Sequence, residues 1–212
     1  MSDSTEYTIS LRPFGSKKIY LDPGEAEGIY LYHSEVKSLK LEEGMRISRE
    51  DFEEIRKTFA LPRAKRYLMH ILCKQDQTVK QLEEKLARAG NDAVSIRLAL
   101  DYAGEQGFTD DARYASDYLS SRRGRKSFKA IRQDLKVKGI SGEIIGLLFE
   151  AEDQTVEDLL PQMERYAGKF PELDGKARNK IYAHFYRKGY GSSLIMETLS
   201  AVTREKDKSI GF

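Results

Sequence analysis

The chain has 212 residues, 40% hydrophobic and 33% charged, with five prolines and a net charge of +2, so it carries enough apolar material for a core beneath a heavily charged surface. A single cysteine, Cys73, excludes an intramolecular disulfide framework, and with three scattered histidines, His33, His70 and His184, no structural zinc site is expected. The opening MSDSTEYTIS lacks the basic and then apolar run of a signal peptide, and the longest apolar run, Ile144 to Phe149 around Gly146, is too short to cross a bilayer; a cytoplasmic protein without membrane contact is expected.

Residues 1–47 alternate short β-favouring runs with turn residues. Tyr7 to Leu11, Lys18 to Leu21 and Gly28 to Tyr32 are separated by Pro13, Gly15, Pro23 and Gly24, which predicts a small antiparallel sheet. A further extended segment is predicted from Leu39 to Ile47. Ser48, with Asp51 three residues on, then reads as the N-cap of a helix of about ten residues that ends before Pro62. Residues 1–62 thus form an N-terminal β-rich appendage plus one helix.

Beyond Pro62 helical periodicity takes over, and it repeats. Gly90, Gly139 and Gly189 lie 49 and 50 residues apart, with Leu82, Ile131 and Ile181 eight before them and Leu86, Leu135 and Phe185 four before. Ile96, Ile145 and Ile195 follow six after, and Leu100, Phe149 and Leu199 ten after. Offsets of four on both sides of a glycine describe two amphipathic helices, the first ended by a left-handed glycine cap. A helix precedes each pair, at 63–75, 110–123 and 155–170, with inner faces Tyr67/Leu68/Ile71/Leu72, Ala115/Tyr118/Leu119 and Leu159/Met163/Tyr166. Thr78 with Gln81, Thr109 with Asp110 and Asp111, and Thr155 with Asp158 mark helix starts. The predicted fold is mainly α: three tandem three-helix repeats, residues 63–108, 109–154 and 155–206, forming an elongated curved array about 70 Å long. A charged, frayed tail is expected from Thr203, with residues 207–212 outside the last repeat.

The small net charge hides an asymmetry. Residues 1–60 hold nine Lys/Arg against twelve Asp/Glu, whereas Arg122 to Lys138 hold eight basic residues and one acid, Asp134. Such a local field attracts phosphate or an acidic protein groove. Lys129, Arg132 and Lys136 fall on one stripe beside the inner face of Phe128, Ile131 and Leu135. The candidate contacts are therefore Arg122, Arg123, Arg125, Lys126, Lys129, Arg132 and Lys136; the plain alternative is a solvated face. Four phosphates neutralised on single-stranded DNA would give a log–log salt slope of about −3. Tyr114/Tyr118 and Tyr182/Tyr186, each four apart, could stack on bases, although such pairs are more often half-buried core.

No catalytic constellation emerges. Asp110 and Asp111 suit a helix N-terminus better than acid–base or metal chemistry. The glycines of Gly189-Tyr190-Gly191 lack the third glycine and preceding strand of a dinucleotide site, and no GxxxxGK[ST] occurs, so no enzyme activity and no cofactor are expected. Cys73 reads as a small apolar residue of the first helix, and His70 and His184 as partly buried histidines.

The segment Gly107 to Ala115 (GFTDDARYA), the basic turn Arg122-Arg123-Gly124-Arg125-Lys126, and Ile131…Leu135…Lys138-Gly139-Ile140 resemble the central repeat of the RecX regulatory proteins, bacterial modulators of the RecA recombinase. Phe185 to Tyr190 with Ile195, and Thr78…Leu82…Leu86…Gly90, fit the same pattern. In the first repeat Cys73-Lys74-Gln75 replaces the arginine-containing turn. The resemblance covers residues 64–203 and implies a non-enzymatic, helical-repeat protein that lodges in the groove of the RecA filament on single-stranded DNA. It would block growth or favour disassembly, damping strand exchange and the SOS response. Arg113, Tyr114, Arg187 and Lys188, within the matching segments, are additional candidate contacts. The expected partners are the RecA filament, single-stranded DNA and, weakly, duplex DNA; a monomer is expected. The alternative is a helix-turn-helix transcriptional regulator, against which stands the apolar and acidic character of the would-be recognition helix Ser141 to Glu152.

Overall fold

In the computed structural model, which describes residues 6–210, the alternating N-terminal runs pair into two small antiparallel sheets. β1 (Glu6–Thr8) pairs with β5 (Arg46–Ser48), placing Tyr7 opposite Ile47. β2 (Ser10–Phe14), β3 (Lys18–Asp22) and β4 (Ile29–Tyr32) form a meander in which Leu21 faces Leu11 on one side and Ile29 on the other. The buried alternate residues Leu21, Ile29 and Leu31 pack with Ile9, Val36, Ile47 and Phe52 into one core, and Tyr7 meets Phe52 edge-on at 5.7 Å.

Two predictions for this region need correction. The extended segment expected over Leu39 to Ile47 is extended only at its end, in β5, and it is preceded by a helix, α1 (His33–Ser38). Six residues are too few to display helical periodicity; what holds α1 is the Glu35 carboxylate accepting from the Tyr32 N–H at 2.7 Å. Nor does the next helix stop before Pro62. Ser48 caps α2 (Arg49–Ile55), accepting from the Asp51 N–H as expected, but a π-helical turn (Arg56–Ala60) carries the chain directly into α3 (Leu61–Leu72). Pro62, the second residue of α3, directly follows this π turn.

The chain divides into two units, residues 1–110 and 111–212. In the first, α3, α4 (Val79–Arg88) and α5 (Ala93–Glu105) form a three-helix cluster around Leu68, Leu86 and Ile96. Polar contacts tie the N-terminal sheets to it. Arg56, 3% exposed, donates to the Glu27 carbonyl at 2.6 Å and lies 3.4 Å from Asp92; the Glu27 carboxylate accepts from the Ala93 N–H, and Lys18 donates to the Ala89 carbonyl.

The second unit contains α6 (Asp111–Arg122), α7 (Phe128–Val137) and α8 (Gly142–Glu150), then α9 (Val156–Ala167), α10 (Gly175–Arg187) and α11 (Ser192–Ile210). Each trio has its own core, around Leu119, Ile131 and Leu135 in one and Met163, Ile181 and Phe185 in the other. The tail expected from Thr203 instead continues α11 to Ile210. Residues 1–5, within the stretch read for a leader, and residues 211–212 of the tail lie outside the described residues.

The glycine register is realised in backbone geometry. Gly90, Gly139 and Gly189 have φ of 74°, 92° and 86°. In each copy the residue after the glycine donates back to the carbonyl five before it: Asn91 to Leu86, Ile140 to Leu135 and Tyr190 to Phe185. That bond, with the positive φ, is a Schellman cap and requires a residue without Cβ strain. Of the twelve aligned apolar positions all are buried except Leu100, which is half-buried. Gly146 has the opposite status, exposed inside α8 with nothing within 4 Å of where a Cβ would stand. Gly146→Ala should therefore stabilise the second unit by about 0.5–1 kcal/mol, read as a raised midpoint in urea unfolding.

Candidate nucleic-acid interface

The basic segment is built as a helix end, a tight turn and a helix start. Arg122 closes α6, and the turn is held by Arg125 and Lys126 N–H groups donating to the Arg122 carbonyl, with Gly124 at φ 72°. Ser127 then caps α7 by accepting from the Ala130 N–H at 3.2 Å. Two helices thus bring one row of cations past a single turn.

The cations differ in how far they are committed. Arg123 is fully engaged: it donates to Asp158 at 2.9 Å, to Glu152 at 2.6 Å and to the Asp153 carbonyl at 2.9 Å, joining α6 to the start of α9. Lys126 pairs with Asp134 at 2.5 Å, and Tyr118 donates its hydroxyl to the same carboxylate oxygen at 2.9 Å. Burial acts to raise the Asp134 carboxyl, but these two hydrogen bonds and the charges of Lys126 and Lys138 outweigh it and hold it below the ordinary aspartate value. The one acid of the stretch is therefore consumed internally, leaving the field of the remaining cations uncancelled.

Of the other six, Arg122, Arg125, Lys129, Arg132 and Lys136 are exposed and Lys138 is half-buried. Arg122 lies over the Tyr118 ring at 5.3 Å and Arg132 over Phe149 at 4.5 Å, which orients each guanidinium without neutralising it. Arg125 and Lys136 meet no side-chain partner among the described residues. The stem of Lys129 packs against Gly189, within 3.3 Å of where a Cβ there would stand.

Tyr114 and Tyr118 are half-buried and stacked at 6.3 Å, with Lys138 over both rings, so these faces are already occupied within the second unit. Tyr182 and Tyr186 also stack, at 5.8 Å, and Tyr186 is exposed. Arg113 is exposed in the first turn of α6. Arg187 donates to the Ala183 carbonyl, and Lys188 lies over Phe185 at 5.5 Å. Asp111 stands in the first turn of α6, where the helix dipole favours an acid. His70, expected to be partly buried, is exposed, and Cys73, read as a residue of the first helix, is its exposed C-cap, because α3 ends at Leu72 and turns its Leu68/Ile71 side inward. His184 is half-buried, as expected, against Tyr166.

A second basic element escaped the count that singled out residues 122–138. The helix α10 carries Lys176, Arg178, Lys180 and Arg187 and no acid. A net-charge scan helix by helix would have found it; Asp174 and Glu172 just upstream masked it in a longer window. Among the described residues, no helix is long and apolar enough to cross a membrane.

Comparison with known proteins places these units. The family models for the second and third three-helix domains of RecX match residues 110–146 and 152–199. The chain is 31% identical over 140 residues to the regulatory protein RecX of Mycobacterium leprae (strain Br4923), covering 63% of this chain and 81% of that protein. It is 25% identical over 201 residues to the regulatory protein RecX of Streptococcus gordonii (strain Challis), covering 91% and 76%. A crystal structure of a regulatory protein RecX superposes with a TM-score of 0.60 at 20% identity, over 92% of this chain and 98% of that one, in agreement with the fold. Successive three-helix units with glycine-capped middle helices, matched by two domain models and by relatives along most of their length, make this chain a member of the RecX family of regulatory proteins.

Proposed function

We propose that this protein is a non-enzymatic cytoplasmic regulator that binds the RecA nucleoprotein filament, through its groove and its single-stranded DNA, and inhibits filament extension. It thereby modulates recombination, DNA repair and the SOS response. The observation that carries the reading is the exposed row Arg122, Arg125, Lys129, Arg132 and Lys136 around one turn, whose one acid, Asp134, is ion-paired from within by Lys126 and hydrogen-bonded by Tyr118. A row of uncancelled cations presented on rigid helices suits a polyanion or an acidic groove. The helix-turn-helix alternative is poorly supported, since α8 carries Glu143 and Glu150 and no cation.

The test is DNA-dependent ATP hydrolysis by the cognate recombinase, with and without this protein. The unmodified protein should inhibit, and replacing Arg122, Arg125, Lys129 and Lys136 together by Ala should raise the concentration needed by roughly tenfold, about 1.4 kcal/mol in total. Arg123 and Lys126 are left intact because their bonds are internal. Absence of inhibition by the unmodified protein would overturn the reading.

A further inference from the structure

The repeat register aligns more than cores. With the glycines superimposed, the position five residues before the glycine holds Lys85, Asp134 and His184. In the first and third units it lines a cleft between the first two helices. The third-unit cleft, about 290 Å³, is walled by Arg165 and Tyr166 of α9, by Lys169 just beyond its end, and by His184, Phe185 and Lys188 of the α10 end. In the middle unit the same position is Asp134, whose carboxylate receives Lys126 and Tyr118. That unit supplies its own anion. The third has the cations and an imidazole in its place, and no carboxylate in the lining. Glu164, beside Arg165 in sequence, is hydrogen-bonded instead to Glu205 of α11.

We infer that the cleft between α9 and α10 binds a phosphate group of a single nucleic-acid strand, with Arg165, Lys169 and Lys188 as counter-charges and His184 as a hydrogen-bond donor. The site rests on the filament reading above for its source of strand. A nucleic acid fits better than an acidic peptide because the cations continue beyond the cleft. Lys176, Lys180 and His184 follow at four-residue intervals along an acid-free face of α10, about 6 Å apart along the axis, a path that a phosphodiester backbone can track. The stacked Tyr166 and His184 rings, 3.9 Å apart, give the cleft a rigid aromatic wall. The corresponding cleft of the first unit is less free, since Lys85 is bonded to Gln77 and Arg88 to Glu84.

The imidazole reports on occupancy. Burial first, and then the charges of Lys188, Arg187 and Lys169, hold His184 below the ordinary histidine value, so the empty cleft favours the neutral ring. Arg165 faces it from α9 and Lys169 from the turn after it, with the Tyr166 ring between; Lys188 and Arg187 face it from α10 and its cap. An anion among these groups stabilises the protonated ring, so binding should tighten as pH falls toward the lowered midpoint of the free ring.

The experiment is a pH titration of the His184 ring resonances in the full chain. It is run in chloride, in inorganic phosphate, with a short oligothymidylate and with a glutamate peptide, all at matched ionic strength. The oligonucleotide should raise the His184 midpoint by about one pH unit, equivalent to about tenfold tighter binding to the protonated form. Lys169→Ala with Lys188→Ala should erase that response and flatten the salt slope of oligonucleotide binding by about 0.7 for each phosphate lost. His184→Asp, which gives the third unit the acid of the middle one, should also flatten the slope while the thermal midpoint is kept. A response to phosphate or peptide but not to oligonucleotide would overturn the assignment, as would an unmoved His184 in a chain that still binds the strand. Recombinase inhibition is scored separately, so a responsive His184 without inhibition would leave this site standing and remove the filament reading.

Discussion

Gly189→Val is expected to destabilise the second unit by about 3 kcal/mol, seen as a lowered urea midpoint with unchanged slope. Two costs combine. At φ 86° a β-branched residue is strained by roughly 1–2 kcal/mol. Beyond the dihedral, a Cβ at this position would come within 3.0 Å of Ser127 Oγ and 3.3 Å of the Lys129 stem. Ser127 cannot simply withdraw, because its hydroxyl donates to the Lys188 carbonyl at 2.6 Å while accepting from the Ala130 N–H. The turn and the start of α7 must move together or lose both bonds, which adds a further 1–2 kcal/mol, roughly. A shift of less than 1 kcal/mol, roughly that of an ordinary surface change, would mean that the turn relaxes freely.

Arg123→Ala should cost about 2 kcal/mol, whereas Arg125→Ala, two residues away, should leave unfolding essentially unchanged. Arg123 makes three hydrogen bonds, and its loss strands Asp158, which is 12% exposed, with only the Thr155 N–H as a partner among the described residues. The guanidinium itself is 35% exposed, so water screens part of the interaction and the figure stays well below that of a buried pair. Lysine should restore less than half of the loss, since one ammonium cannot span Glu152, Asp158 and the Asp153 carbonyl as a planar fork does. Equal effects at 123 and 125 in unfolding experiments would contradict this division of labour.

The scaffold was readable from sequence because its signals are local. An apolar residue at a fixed offset from a cap glycine expresses helical geometry over eleven residues or so, and the Schellman bonds confirm that each glycine ends its helix. Capping boxes at Thr78/Gln81 and Thr155/Asp158 are equally local and are present. The candidate interface was less legible. Charge counting finds Arg123 and Arg125 alike, yet Arg123 is claimed by acids 29 and 35 positions away, and no periodicity reports such a contact. Lys126 is claimed by Asp134, eight positions on, through a turn whose direction depends on Gly124. The acid-free face of α10 was hidden by neighbouring acids, and α1 by its brevity. Asp134 and His184, however, occupy one offset in the same alignment that revealed the glycines, so their exchange was available to a reading that tracked polar positions as closely as apolar ones.

Ser127 has a consequence for how strongly a flexible ligand can be held. Its hydroxyl fastens the first turn of α7 to the carbonyl that ends α10, so Lys129 and Lys188 are displayed from one stiff joint. Two weak charges carried on separate tethers bind a polymer almost independently. Carried on a common rigid mount, the second contact becomes intramolecular once the first is made, and its effective concentration is set by the joint, not by diffusion. A strand whose phosphates match that fixed gauge would gain avidity without any new contact, and one that does not match would gain none.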